Sequence, residues 1–429
     1  MFKTIDEIQL FMDSRKKLGI QPGLERMEGF LEALGHPQHR LKIVHIAGTN
    51  GKGSTISYMQ SVLKTAGYVV GTYTSPYFEN YREQILVNGE QIEEGDFIRL
   101  CNRLYEVLTV FEAGETKLTE FELLTAAAFL YFAEIHPVDV VLLETGMGGL
   151  DDATNVCFPI VTAITNIAID HEQFLGKTIE SIARHKAGII KSGVPIVTTI
   201  ENEEALQVIS NIAKEKQAKL YTLHKQFDYM LMESNGFSER FAFRSLFVDS
   251  FQVKISMLGE HQVKNASLAF MILDYLKRYF AFLLEDEHLL EGFEKSHWSG
   301  RGEVVSTEPF VLMDGAHNRA GIEQLAAMLE RHYPQKKLYL ITALTKEKDV
   351  NEVLSPLYPL VKEICFTEFQ HERATKAEQL FDLSQFENKV IEKSAVAALK
   401  WKQLQLKEGD MLLLTGSLYF LAELRPLFK

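Results

Sequence analysis

Apolar positions along this chain fall into two alternating patterns, short continuous runs and longer stretches with a period near 3.6. Residues 41–47 (Leu-Lys-Ile-Val-His-Ile-Ala) form an apolar, β-branched run that predicts a buried strand, and residues 54–66 then take up helical periodicity. Residues 68–73, 138–143, 159–167 and 194–200 repeat the strand pattern, while 93–112, 119–135 and 179–190 repeat the helical one. Continuous apolar runs mark strands covered on both faces, so the expectation is an α/β fold with a mostly parallel, doubly wound sheet. Ligands of such sheets sit at the carboxyl ends of the strands. Lys52, Ser75, Glu144 and His171 all lie just past predicted strand ends, a shared location more informative than any one motif.

The flanking regions are read in the same way. Residues 1–40 predict helix, broken at Gln21-Pro22-Gly23, with a second apolar-periodic segment at 24–34. Residues 77–88 are aromatic and charged without clean periodicity, which suits a substrate loop. The character changes over 216–258, with short β-like runs at 227–251, and helix resumes at 265–280. An acidic stretch near 285–290 and Ser-His-Trp-Ser-Gly-Arg-Gly at 296–302 mark a boundary. A second α/β unit follows, with strands near Val304 and at 310–313, 338–343, 364–367 and 411–414. The expected domains are therefore 1–295 and 296–429.

Composition narrows the function classes. At 429 residues the chain is long enough for two or three domains on a prior of about 150 residues each. A net charge of −13 argues against broad nucleic-acid or anionic-membrane binding, so an anionic ligand has to be met by local cations. Cys101, Cys157 and Cys365 are widely spaced and suggest neither a disulfide framework nor a thiolate metal site. The N-terminus lacks a signal-peptide core, and the greasiest stretch, 123–133, is bracketed by glutamates and too short to span a bilayer. A cytoplasmic protein is expected.

The turn after the first strand, Gly48-Thr-Asn-Gly-Lys-Gly-Ser54, has the parts of a phosphate cradle. Glycines let backbone N–H groups approach an anion, a helix start adds partial positive charge, and Lys52 adds a full one. The spacing departs from the general P-loop pattern: its first glycine would fall at Ile46, and Gly53 separates Lys52 from Ser54. Glu144, ending an apolar strand, is placed as a metal or water ligand rather than a helix cap. His171 with Asp170 stands between a structural and a functional reading. Lys186, in an Ala-Gly-Ile-Ile context, reads first as a snorkelling helix lysine, although burial would make its amine neutral. In the second half, Asp314-Gly-Ala-His-Asn318 offers a carboxylate, an imidazole and an amide at another strand end, with Asn318 also suited to cap a helix. Arg301, between glycines, is either a phosphate clamp or a linker arginine.

With these segments laid out, the chain resembles the folylpolyglutamate synthase and dihydrofolate synthase family of the Mur ligase superfamily. Besides the turn at 48–54, the resemblance is carried by Thr74-Ser-Pro76, Thr119-Glu-Phe-Glu122, Glu144-Thr-Gly-Met-Gly-Gly149, Asp152-Ala-Thr-Asn155, Asp170-His171 and Lys186-Ala-Gly-Ile189. It continues with Gly259-Glu-His-Gln262, Asn265-Ala266, Gly300-Arg301, Asp314 to Asn318 and Leu414-Thr-Gly-Ser-Leu418. These segments run in family order from about residue 20 to the C-terminus.

The resemblance implies a P-loop-containing N-terminal domain with a mostly parallel sheet, and a smaller Rossmann-like C-terminal glutamate-ligase domain that closes over ATP. It implies an ATP-dependent ligase joining L-glutamate to a folate carboxylate through an acyl phosphate, with dihydropteroate as a further acceptor. A Mur-type ligase acting on a cell-wall precursor is the alternative enzyme, and a nucleotide-binding switch the nonenzymatic one.

By the same resemblance Asn50, Gly51, Lys52, Gly53 and Ser54 hold the ATP phosphates, and Asn265, Arg301 and Asp314 contact ATP, with His317 nearby in the same turn as a catalytic candidate. Ser75, Glu144 and His171 match magnesium ligands, which moves that role from Ser54 to the Ser-Pro loop. Lys186 matches a lysine carried as a carbamate, an anionic ligand for a second Mg²⁺. Phe121 and Asp152 match the pterin pocket. ATP, two Mg²⁺, folate and glutamate are the implied ligands, acting on a monomer without nucleic-acid or membrane partners. Tyr77, Gln84, Leu150 and His185 depart from the family's usual His, Arg, Arg and Glu, near the folate-facing and domain-facing surfaces.

Overall fold

The computed structural model describes residues 1–77, 80–114, 116–232, 234 and 236–428. The chain forms two compact units. The first contains Met1–Tyr229, Phe243–Phe251 and Lys264–Lys295, the second Met230–Ala242, Gln252–Val263 and Ser296–Lys429. The last change of unit falls between Lys295 and Ser296, and two earlier segments, Met230–Ala242 and Gln252–Val263, belong with the second unit.

The first unit is built on an eight-stranded sheet: β1 (Ile43–Ala47), β2 (Val70–Tyr73), β3 (Ile85–Val87), β4 (Glu90–Gln91), β5 (Val140–Glu144), β6 (Val161–Ile164), β7 (Ile196–Thr198) and β8 (Leu220–Thr222). Their spatial order is β4-β3-β2-β5-β1-β6-β7-β8, parallel from β2 through β8, with β3 and β4 added antiparallel at one edge. Every residue of β1 and β5 is buried, as continuous apolar runs require. Helices provide the cover: α1 (Ile5–Lys16), α2 (Glu25–Ala33), α3 (Lys52–Thr65), α4 (Glu94–Phe111) and α5 (Glu120–Leu130), then α6 (Glu172–Leu175), α7 (Ile179–Ala187) and α8 (Glu203–Glu215), and finally α9 (Glu260–Tyr279) and α10 (Asp286–Lys295). Ile43, Tyr73, Val141 and Leu143 join residues of α1, α2, α4 and α5 in one core, whereas Ala47, Ile164 and Ile196 join those of α7 and α8 in another.

This order creates the site. Strand β1 lies between β5 and β6, pairing Ile46 with Glu144 on one side and Ala47 with Ile164 on the other. The chain leaves β1 toward β2 on β5's side, and later returns to place β6 on the opposite side. Connections diverge there, at the carboxyl ends of β1, β5 and β6, the place where doubly wound sheets form their ligand crevice.

The segment at 77–88, read as an irregular loop, holds a 3₁₀ turn at Tyr81–Gln84 and then β3; Phe78 and Glu79 lie outside the described residues. A capping box between Asn80 and Glu83 starts that turn. The β-like region at 227–251 forms β9 (Phe227–Leu231), β10 (Glu239–Ser245) and β11 (Phe251–Ile255), a separate three-stranded sheet; Glu233 and Asn235 lie outside the described residues.

The second unit carries β12 (Glu303–Thr307), β13 (Phe310–Asp314), β14 (Lys337–Thr342), β15 (Val361–Glu368), β16 (Lys389–Ser394) and β17 (Asp410–Thr415) in the order β12-β13-β17-β14-β15-β16. Only β12 is antiparallel. Helix α11 (Arg319–His332) follows β13, capped by Asn318, whose side chain accepts from Gly321 N. Buried Glu239 accepts from Gly259 N at 2.9 Å and pairs with His332 at 2.6 Å, which ties the early segments of this unit to α11. No helix among the described residues is long and apolar enough to cross a membrane.

Candidate active site

The turn after β1 is pinned by residues just past β6. Thr49 N donates to Asn166 O (3.0 Å), Asn50 N to the Asn166 side-chain oxygen (2.8 Å), and Thr165 Oγ1 to Asn50 O (2.6 Å). Ala168 N donates to Thr49 Oγ1 at 3.1 Å. Sequence reading missed Thr165 and Asn166; the available signal was a pair of small polar residues ending an apolar strand.

Gly51 caps α3 at φ +86°, and a Cβ there would lie 2.4 Å from the Asn265 side-chain oxygen. Both facts demand glycine. Gly51→Ala is expected to destabilise the fold by about 1–2 kcal/mol, the cost of left-handed backbone for an L-residue, and to raise KM for ATP. Thermal unfolding and steady-state kinetics check it; a wild-type KM would show that the turn's shape is not used for ATP.

Lys52, first residue of α3, folds back over this turn: its ammonium donates to Gly48 O (3.0 Å) and lies 3.6 Å from the Glu144 carboxylate. Glu144 is buried at the end of β5, and its other oxygen accepts from Ser75 N at 3.3 Å. Lys52, Glu144 and Ser75 therefore come together from three consecutive strand ends. Asp170, also buried, accepts from His171 N at 2.9 Å, and His171 caps the one-turn α6 in left-handed backbone (φ +52°).

Lys186 is buried in the last turn of α7. Burial, reinforced by the positive charge of Lys52, lowers its amine to about 7, against the opposing fields of Asp170 and Asp152. The snorkelling alternative is thus excluded for this side chain. The helix end that carries it packs closely on the glycine segment after β5: a Cβ on Gly149 would lie 2.9 Å from the carbonyl oxygens of both His185 and Lys186, and Leu150 N donates to His185 O at 2.7 Å. Leu150 and His185, two of the departures noted in the sequence, line the same cavity of about 370 Å³ with Thr178, Glu180, Ser181 and Arg184.

Asp152 and Phe121 flank the same glycine segment. Asp152 caps the 3₁₀ turn Ala153–Val156 and accepts from Met147 N at 2.8 Å and Thr154 N at 3.1 Å. Desolvation raises its carboxyl above the usual range, and these hydrogen bonds oppose the rise. Phe121 sits in the first turn of α5, fixed by a capping box in which Thr119 N donates to Glu122 (2.7 Å) and Glu122 N to Thr119 (3.3 Å). Its ring packs against Gly146, where a Cβ would come within 2.5 Å.

In the second unit Asp314 ends β13 and organises the following turn. Its oxygens accept from Gly302 N and Ala316 N, each at 2.8 Å. Burial pushes this carboxyl up, and the guanidinium of Arg301 is the largest opposing influence. His317 Nδ1 donates to Gly315 O at 2.8 Å. Arg301, read from the sequence as a boundary arginine, thus lies near Asp314, and His317 belongs to the same turn.

The family model for the Mur ligase middle domain matches residues 46–273, and that for the Mur ligase glutamate ligase domain matches residues 300–418. A dihydrofolate synthase/folylpolyglutamate synthase of Bacillus subtilis is 38% identical over the full length of both chains. The chain belongs to the folylpolyglutamate synthase/dihydrofolate synthase family. It is therefore an ATP-dependent ligase of the Mur superfamily. Among solved structures, folylpolyglutamate synthase of Thermotoga maritima superposes with a TM-score of 0.85 at 31% identity, covering 98% of this chain and 96% of that one. FolC of E. coli in complex with DHPP and ADP superposes with a TM-score of 0.90 at 27% identity, covering 99% and 97%.

Proposed function

We propose that this ligase joins L-glutamate to the carboxylates of both dihydropteroate and reduced folates. The convergence of Lys52, Glu144 and Ser75 at adjoining strand ends carries the reading. Relatives named for both activities, one matching over the whole chain length and another over 87% of it, support the dual acceptor range.

The reaction has two displacements. An acceptor carboxylate oxygen takes the γ-phosphoryl group of ATP, forming an acyl phosphate and releasing ADP. The glutamate amine then attacks the acyl carbon and inorganic phosphate leaves. A carboxylate is a poor electrophile, and phosphorylation supplies the leaving group. Positioning and charge neutralisation provide most of the acceleration in such transfers.

In this reading residues 51–54 cradle the phosphates, because Asn50 N–H is engaged by Asn166 and so shapes the loop. Lys52 is held toward the crevice by Gly48 O and neutralises phosphate charge. Asn265, Arg301 and Asp314 are proposed as further ATP contacts and His317 as a catalytic neighbour. Phe121 and Asp152 would receive the pterin. The proposed domains are 1–295, which carries the phosphate turn, and 296–429, the glutamate-ligase domain.

Magnesium fits the residues present. Among the described residues no three His, Cys, Asp or Glu side chains converge on one point, yet Mg²⁺ characteristically takes one or two carboxylates and completes its shell with water and phosphate. Glu144, Ser75 and His171 would hold one ion, and carbamylated Lys186 a second. When bound, such ions offset the phosphate charge.

Purified protein with MgATP, glutamate and either tetrahydrofolate or dihydropteroate is expected to release phosphate and form an amide-linked product with each. Product with only one acceptor would refute the dual range. Turnover of neither, with activity on a muramyl precursor, would overturn the folate reading itself.

A further inference from the structure

We infer that His45, inside the central strand of the sheet, is a positioning residue for the acceptor pocket, completing a one-way hydrogen-bond chain that fixes the Asp152 carboxylate. The inference rests on the proposed placement of Asp152 at the pterin. Strand β1 is otherwise apolar, and His45 is fully buried in it. A polar ring at such a depth costs free energy unless its nitrogens are satisfied. Its Nε2 lies 2.8 Å from Thr154 Oγ1, which lies 2.5 Å from Asp152 Oδ1. On the ring's other side Nδ1 is 3.8 Å from Cys157 Sγ.

The direction of each bond follows from donor counting. Thr154 Oγ1 gives its single proton to Asp152 Oδ1, the oxygen that also accepts from Thr154 N. The hydroxyl oxygen must then accept from His45, which puts the ring proton on Nε2. Nδ1 is left as an acceptor for the Cys157 thiol. The ionisation states agree: burial lowers His45 to about 3, so the ring is neutral, and raises the Cys157 thiol to about 12, so it keeps its proton. Cys157, His45 and Thr154 thus donate in sequence toward Asp152.

The chain ends on a carboxylate whose second oxygen accepts from Met147 N, inside the glycine segment that follows Glu144. Through this one residue it holds both the segment's backbone and the group offered to the acceptor. A histidine satisfied only for the sake of the core has no need of such an end point.

The test compares isosteric variants, with folding checked by thermal melts. Thr154→Val removes the relay and is expected to raise KM for the folate acceptor roughly tenfold, as for a lost charge-assisted hydrogen bond, while KM for ATP stays within about twofold. Thr154→Ser, and His45→Gln with its terminal N–H, should restore near-normal acceptor KM; His45→Leu should not. Nitrogen-15 spectra of histidine-labelled protein should show His45 as the neutral Nε2–H tautomer from roughly pH 5 to 8. An Nδ1–H tautomer, or equal effects of Thr154→Val on both substrates, would overturn the inference. Asp152→Asn separates the two ideas: unchanged acceptor KM refutes the pocket placement, whereas a raised KM with a normal Thr154→Val enzyme refutes the relay alone.

Discussion

Glu144→Gln is expected to lower magnesium-dependent kcat by roughly a thousandfold or more while the protein stays folded, because it removes a fixed charge where preorganised electrostatics act. The replacement is close in shape, and its amide oxygen can still accept from Ser75 N, which Glu144 now holds at 3.3 Å. Lys52 keeps its bond to Gly48 O, so the ammonium is not stranded by the change. The thermal midpoint should therefore move by only a few degrees, the usual shift for about 1 kcal/mol in a chain of this kind. Mn²⁺ serves as a probe independent of turnover: its affinity, read by paramagnetic resonance, should fall in the variant at unchanged ATP concentration. Wild-type kinetics with wild-type Mn²⁺ affinity would refute the ligand assignment.

The strand ends that define this site were legible because parallel strands buried on both faces leave continuous apolar runs, and a polar residue that ends such a run has few roles open to it. Glu144 and Asp314 were found that way. Elements without this contrast were missed or blurred. Strand β16, Lys-Val-Ile-Glu-Lys-Ser, lies at a sheet edge where charge discourages further pairing, so its pattern resembles a loop. Strand β8 is three residues long, too short for a period to show. Helix α9 begins at Glu260, ahead of the expected residue 265, because its first turn is polar.

The contacts that shape the site were harder to read than its members. Nothing in the spacing pairs Asn50 with Asn166, more than a hundred residues away, or joins His45 to Thr154. Such partners are set by which strands become neighbours, here β1 and β6. Lys186 shows the same limit from the other direction. Its helix is ordinary in sequence, and the close approach of Gly149 to the carbonyls of His185 and Lys186 is a contact that no local pattern encodes.

Lys186→Ala and Lys186→Arg are both expected to lower kcat by roughly two to three orders of magnitude, the arginine variant no better than the alanine, because the proposed role needs an amine that becomes an anion. The step is balanced: the neutral amine nitrogen forms a bond to the carbon of CO₂ and loses a proton, giving a carbamate. Burial and Lys52 both disfavour the charged amine, which is why its proton leaves near 7 instead of 10.5. Carbamate formation and kcat should accordingly fall as pH drops below about 7, and added bicarbonate should offset part of the loss. Linkage has the same sign, since between about 7 and 10.5 the unfolded chain holds a proton that the folded one has released, so this group favours folding increasingly as pH rises through that window. Carbon-13 bicarbonate gives the decisive readout. Wild-type protein should show one carbamate resonance that both variants lack; its absence at pH 8 under excess bicarbonate would leave Lys186 a neutral amine and remove the second magnesium ligand from the proposal.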